Sequence, residues 1–140
     1  GGSKRASSYA KYLGVDLVLC HKQRAKANVV ESMKIIGDVQ GKNVIILDDM
    51  VDTAGTITKA ADLMIENGAL SVRAFASHGV LSDPATERIE KSKLTAIYFT
   101  DSIPLKKESE KIKVLSVADL IANTIINVNT NKSISSSYLV

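Results

Sequence analysis

Asn43-Val-Ile-Ile-Leu-Asp48-Asp49-Met-Val-Asp52-Thr53-Ala54-Gly55-Thr56-Ile-Thr58 decides the fold. Val44 to Leu47 form an apolar run without a polar break, the pattern of a strand buried on both faces of a sheet. Asp48 and Asp49 then stand where such a strand is expected to leave the sheet. A loop of small residues, Asp52 to Thr56, follows, and from Ile57 the apolar spacing becomes helical. A strand, a short loop and a helix start in that order place free backbone N–H groups and the positive helix end together. That arrangement suits an anion. Carboxylates do not bind phosphate, so the acids must serve another part of the ligand. Hydroxyl groups, or a Mg²⁺ ion between acid and ligand, fit them. A phosphate beside hydroxyls is a sugar phosphate. The plainer reading of the acids is a strand-end pair that caps the following helix.

The composition leaves room for this reading and removes others. The chain has 140 residues, enough for one domain, with 45% hydrophobic and 24% charged residues, which indicates a globular protein. The formal net charge of +3 suits phosphorylated small molecules. Nucleic acid is disfavoured, because aromatics are 4% and no long basic run is present. No apolar run has membrane length and no signal-peptide pattern is seen. The single cysteine, Cys20, cannot form an internal disulfide, so a reducing cytoplasm is expected, with Cys20 as a small buried hydrophobe.

Outward from the central stretch, Ser3 is placed to cap a helix with an apolar face of Ala6, Tyr9, Ala10 and Leu13, ended by Gly14. Val15 to Cys20 reads as a parallel-sheet strand, and His21 to Asn28 as a cationic loop without apolar period. Glu31 to Gly37, the turn Asp38 to Lys42, and Asn43 to Leu47 suggest an antiparallel strand leading into the central one. Ile57, Ala60, Ala61 and Met64 give the next helix its face, and Asn67-Gly68 stops it. Val72 to Ser77 and Leu94 to Phe99 read as strands. Between them Asp83-Pro84 suits an N-cap and first position for a helix through Ile89. Ser116, with Asp119 three residues on, opens a last helix with Val117, Leu120, Ile121, Thr124, Ile125 and Val128 at helical spacing, expected to lie along the sheet. Alternating strands and helices with a ligand loop at a strand's carboxyl end predict an α/β fold, an open, mostly parallel sheet flanked by helices.

The stretch from Val44 to Thr56 resembles the phosphoribosyl-diphosphate loop of the type I phosphoribosyltransferase fold. More narrowly, it resembles that of the ribose-phosphate pyrophosphokinases. His21-Lys22-Gln23-Arg24, followed by Ala27-Asn28-Val29, is similar to that family's flexible catalytic loop. Ser77-His-Gly-Val-Leu-Ser-Asp83-Pro-Ala85, Thr100 to Pro104, and the Ser-rich ending from Ser133 resemble further family segments. The resemblance covers the whole chain as a single domain, residues 1–140, and corresponds to the C-terminal half of the two-domain enzyme. The N-terminal half, with its adenine pocket and a metal-binding aspartate before Gly1, is then absent, and the fragment alone is expected to be inactive.

The resemblance implies transfer of the β,γ-diphosphoryl group of ATP to the anomeric hydroxyl of ribose 5-phosphate, giving phosphoribosyl diphosphate and AMP, with Mg²⁺ as cofactor. It makes Lys22 and Arg24 the catalytic cations, Arg24 also touching ribose 5-phosphate. Asp52, Thr53, Ala54, Gly55 and Thr56 would hold the 5-phosphate, and Asp48 and Asp49 the ribose hydroxyls. It implies no certain metal ligand in this chain, a phosphate or ADP-type effector at Ser133 and Ser135, and a homo-oligomer, a hexamer in the family. His78 receives no catalytic role. Two other readings stand beside it: a non-catalytic regulatory paralogue, and a base-transferring phosphoribosyltransferase on the same fold.

Overall fold

A computed structural model describes residues 3–23 and 32–135 of the chain. Its elements are α1 (Ser3–Leu13), β1 (Leu19–Gln23), β2 (Ser32–Ile36), β3 (Asn43–Val51), α2 (Gly55–Glu66), β4 (Ser71–Gly79), α3 (Ala85–Lys91), β5 (Ala96–Thr100), β6 (Ile112–Leu115) and α4 (Ala118–Asn129). Four strands form a parallel sheet in the order β3-β4-β5-β6, and β1 and β2 form a separate antiparallel pair.

The parallel sheet and its helices follow from the apolar spacing. In α2 the expected face, Ile57, Ala60, Ala61 and Met64, is buried, joined by Thr58, whose hydroxyl donates to the Ala54 carbonyl at 2.8 Å. With Val72, Ala74, Ile97 and Phe99 of the strands and Ala85 and Ile89 of α3, most of that face forms one core cluster. Ala61 is fully buried beside strands whose own inward residues include alanines, so helix and sheet approach closely with little side chain between them. Gly68, at φ 91°, turns the chain after the Asn67 cap.

Several expectations fail, each for an identifiable reason. Val15 to Cys20 does not join the parallel sheet: the strand begins at Leu19, continues through His21, Lys22 and Gln23, and pairs antiparallel with β2. The segment read as a cationic loop is thus partly strand. β2 turns away from β3 to pair with β1, and β3 is bonded to β4 alone, making it an edge strand among the described residues. Ile45 is accordingly 53% exposed, and the run Val44 to Leu47 is not buried on both faces. Cys20 is exposed, not a core residue. α1 already includes Ser3 as its first residue, and Pro84, not Asp83, occupies the N-cap of α3; the Asp83 carboxylate instead accepts from Lys107 at 2.7 Å.

The last helix departs most. None of its residues is buried, and Leu120, Ile121, Ile125 and Val128 are all exposed, so α4 does not lie on the sheet. Its start is tied down instead by Asp101, whose carboxylate accepts from the Ser116 hydroxyl and from the Val117 N–H at 3.0 Å. These bonds hold the Asp101 carboxyl below the ordinary carboxylate range. Strand β6 had no signal in the sequence, since only Ile112 of its four residues is buried.

At Gly79 of β4 a side chain would collide with β5. A Cβ there would stand 3.0 Å from Phe99 Cγ and 3.1 Å from Cδ1, and Phe99 is 2% exposed with no room to move. Gly79→Ala should therefore cost about 1–3 kcal/mol by overpacking. In a Phe99→Leu background the same substitution should cost less, because the smaller side chain yields. Urea unfolding of the four proteins measures the coupling; strictly additive losses would show that the ring is not what excludes the methyl.

Candidate functional site

The site is assembled where β3 passes into α2. β3 runs to Val51, longer than the apolar run suggested, so Asp48 and Asp49 lie within the strand and not at its exit. The two adjacent carboxylates stay within reach of one another, and both feel the Arg5 charge. Asp49 faces α1 and accepts from the Arg5 guanidinium at 3.0 Å. Asp48 follows the row of Val44 and Ile46, and its Oδ1 accepts from the Asp49 N–H at 2.9 Å. Their acidities diverge. Asp49 is held below its ordinary range, first by the bond from Arg5. Asp48 is raised, chiefly because burial disfavours its charge.

Beyond Val51, which is 4% exposed, the loop turns through Ala54 at φ 59° and ψ 4°. A left-handed conformation in a residue with a side chain costs about 1 kcal/mol. Ala54 is itself 4% exposed, so the surrounding core enforces the turn. It is the N-cap of α2 with no side-chain cap, and its carbonyl accepts from the Thr58 N–H at 3.1 Å, the first bond of the helix. The N–H groups of Ala54, Gly55 and Thr56 therefore precede the first intrahelical donor, the condition that makes a helix start attractive to an anion. The capping role considered for the strand-end pair Asp48 and Asp49 is absent.

Two clefts border this junction. One, of about 500 Å³, is lined by Thr53, Gly55 and Thr56 together with Met33 of β2 and Arg88 of α3. The other, of about 200 Å³, lies toward α1 and is bordered by Asp48, Arg5, Tyr9 and the stacked rings of Phe75 and Tyr98, whose centroids are 4.6 Å apart. Met33 is the register partner of Lys22, so the hairpin that carries Lys22 runs beside the loop that precedes α2. Arg24 lies outside the described residues. Ser133 and Ser135 share a hydroxyl–hydroxyl bond of 2.8 Å beyond α4, and among the described residues nothing joins that pair to the loop. Arg5 and Arg88, which meet the junction from α1 and α3, were not singled out from the sequence; nothing in their spacing distinguishes them from solvated surface charges.

No three His, Cys, Asp or Glu side chains converge among the described residues. Mg²⁺ is commonly held by one or two carboxylates together with water and substrate phosphate oxygens. Asp48 fits that kind of partial donor set, whereas Asp49 is already engaged by Arg5. No helix among the described residues is long and apolar enough to cross a membrane.

Comparison with known proteins bears on the whole stretch. The model of the phosphoribosyl synthetase-associated domain matches residues 23–140. A ribose-phosphate pyrophosphokinase of Porphyromonas gingivalis is 61% identical over 138 residues, 99% of this chain and 44% of the relative. That of Wolinella succinogenes is 54% identical over 139 residues, 99% of this chain and 45% of the relative. The crystal structure of phosphoribosylpyrophosphate synthetase from Mycobacterium smegmatis superposes with a TM-score of 0.84 at 40% identity, covering 93% of this chain and 42% of that one. The chain thus spans less than half the length of these relatives. The matches support the family and the α/β fold with its helix-flanked parallel sheet, but not the expectation of a C-terminal half, which is withdrawn. By its matched residues and its relatives, the chain belongs to the family of the phosphoribosyl synthetase-associated domain.

Proposed function

We propose that this chain carries the ribose 5-phosphate site of a ribose-phosphate diphosphokinase, which transfers the diphosphoryl group of ATP to the 1-hydroxyl of ribose 5-phosphate. The observation that carries the reading is the junction of β3 and α2. There the left-handed Ala54 presents the amides of a helix start a few residues from Asp48. In this reading the 5-phosphate accepts from the amides and hydroxyls of Asp52 to Thr56, and Asp48 accepts from the ribose hydroxyls. Asp49, drawn toward α1 by Arg5, takes the lesser part. The similarity to enzymes named ribose-phosphate pyrophosphokinases supports the same choice over a base-transferring relative.

Mg²⁺, when bound, would neutralise phosphate charge, and Asp48 is the residue placed to help hold it together with substrate oxygens. The chain's own residues fix the sugar phosphate so that its anomeric hydroxyl is oriented toward the incoming phosphoryl group. Lys22 and Arg24 supply positive charge where non-bridging oxygens gain charge in the transition state. Titrating the chain with ribose 5-phosphate while following backbone amide shifts tests the site. The amides of Thr53 to Thr56 should move, whereas ribose without its phosphate should leave them in place. Shifts confined to other parts of the chain would remove the reading.

The division between the acids can be tested with pH. Because the Asp48 carboxyl is raised and that of Asp49 lowered, falling pH should protonate Asp48 first, with the order read from side-chain carboxyl ¹³C shifts. The signs of the stability effects are opposite. The elevated Asp48 makes its charged form a burden at neutral pH that is relieved as pH falls through its folded value. The depressed Asp49 contributes stability above the ordinary carboxylate range, lost as pH falls through its lower folded value. A proton on Asp48 removes a charged acceptor, so sugar affinity should begin to fall above the ordinary carboxylate range of about 4. Asp48→Asn should abolish that step and weaken binding about 10-fold or more, the scale of a hydrogen bond to a charged group. Protonation of Asp49 first would reverse the assignment.

The cationic hairpin gives a kinetic expectation. In the active enzyme, Lys22→Ala should lower kcat roughly 10²–10³-fold, the effect of losing one transition-state donor, with little change in ribose 5-phosphate affinity. Equal losses in rate and binding would assign Lys22 to ground-state binding.

A further inference from the structure

The α3 helix approaches the phosphate loop through one side chain. Arg88 donates from Nη1 to the Thr53 carbonyl at 2.9 Å, across 35 residues of chain. The guanidinium also lies over the start of α2, since a Cβ placed on Gly55 would be 3.5 Å from the same nitrogen. Among the described residues Arg88 has no carboxylate partner, although its neighbours do: Glu87 pairs with Lys91, and Asp83 with Lys107.

The base from which Arg88 reaches is fixed. Ala85 and Ile89 on the same helix are fully buried. The Lys111 ammonium donates to the Glu90 carbonyl at 2.9 Å and the Ser92 carbonyl at 2.6 Å, satisfying the end of α3 where cations are favourable. α3 is therefore a short, anchored post with a guanidinium at the loop.

The acceptor that Arg88 holds matters more than the bond itself. A trans peptide is planar, with its carbonyl and N–H pointing in opposite directions. The Thr53 carbonyl and the Ala54 N–H belong to one such plane. Fixing the carbonyl toward α3 therefore fixes the Ala54 N–H away from it. That N–H donates to no backbone carbonyl among the described residues, although Ala54 is 4% exposed. Left alone, a peptide next to a left-handed residue could rotate and present its carbonyl oxygen, which would repel an anion. The arginine suits this duty because it donates through a rigid planar fork.

We propose that Arg88 is a positioning residue for the phosphate loop: by clamping the Thr53 carbonyl, it holds the Ala54 N–H outward as a donor for the 5-phosphate of the sugar. The inference rests on the ribose 5-phosphate site proposed above. Arg88 need not touch the ligand; it acts through the Thr53–Ala54 peptide.

The test uses the full 140-residue chain with Arg88→Met and Arg88→Lys, and ribose 5-phosphate as the probe. Isothermal titration should give a Kd at least 10-fold weaker for Arg88→Met, about 1.4 kcal/mol at 25 °C. Arg88→Lys, which keeps a charged donor, should restore part of it. In ligand-free NMR spectra, the Ala54 amide resonance should shift on loss of Arg88 and return toward its original position in the lysine variant. Core amides of β4 and β5 should stay in place. If Arg88→Met does not fold, Arg88→Leu takes its place, and an affinity equal to the parent's in that donor-free variant overturns the proposal. A Kd unchanged in folded Arg88→Met overturns it too, as does lower thermal stability with intact affinity, which would make the bond merely structural. Failure of the parent chain itself to bind ribose 5-phosphate would instead overturn the site reading, and the positioning role with it.

Discussion

The site depends on how closely α2 is seated on the sheet. Ala60 and Ala61 are nearly or fully buried, and they face strands whose own inward residues include Ala74 and Ala76. Small side chains on both surfaces leave the chain little distance in which to turn from β3 into the helix. That restriction places the turn at Ala54 in a left-handed conformation, at a residue whose methyl gains burial as partial compensation. Thr58 reinforces it by bonding the Ala54 carbonyl through both its amide and its hydroxyl. The donors offered to an anion are thus set by core packing, before any ligand arrives. A site with fixed dipoles loses less entropy on binding than one that must be ordered.

The same geometry explains why two adjacent aspartates have different characters. β3 keeps its extended form through Asp48 and Asp49, and the two carboxylates act on each other while meeting Arg5 unequally. Asp49 takes the direct bond from Arg5 in α1, whereas Asp48, on the border of the cleft toward α1, carries the desolvation of its charge and the nearby charge of Asp49. The exposed pair with Arg5 contributes little to stability. Its value lies in distinguishing the acids, leaving one carboxylate available for a polar ligand.

Some of this was legible from the residues and some was not, for physical reasons. The apolar faces of α2 and β4 could be read because burial there is one-sided and regular. The position of β3 at a sheet edge could not, because an apolar run states what a surface prefers to touch and not what covers it. α4 shows the same limit: Leu120, Ile121 and Ile125 have helical spacing, yet all three are exposed. Strand β6, with one buried residue of four, had too little pattern to register. Asp52 to Thr56 was legible through its small residues and its place after an apolar strand. Arg88 was not, since its partner is a backbone carbonyl 35 positions away and leaves no trace in side-chain spacing.

The separation of the hairpin from the parallel sheet bears on how rate and binding could be divided. Among the described residues β1 and β2 pair only with each other, and a two-stranded ribbon has marginal stability unless it packs on something else. Ile35 and Val18 supply part of that packing at the edge of the core cluster, while Leu19, Cys20 and Ile36 remain exposed. The unit that bears Lys22 consequently shares less with the core cluster than the loop that bears Ala54. Segments with few buried contacts open at lower free energy than the core. In the proposed reading, a core-anchored cradle with a less buried ribbon beside it would let the sugar phosphate be positioned first and the Lys22 charge be brought in afterwards, the order that transition-state stabilisation favours over tighter ground-state binding.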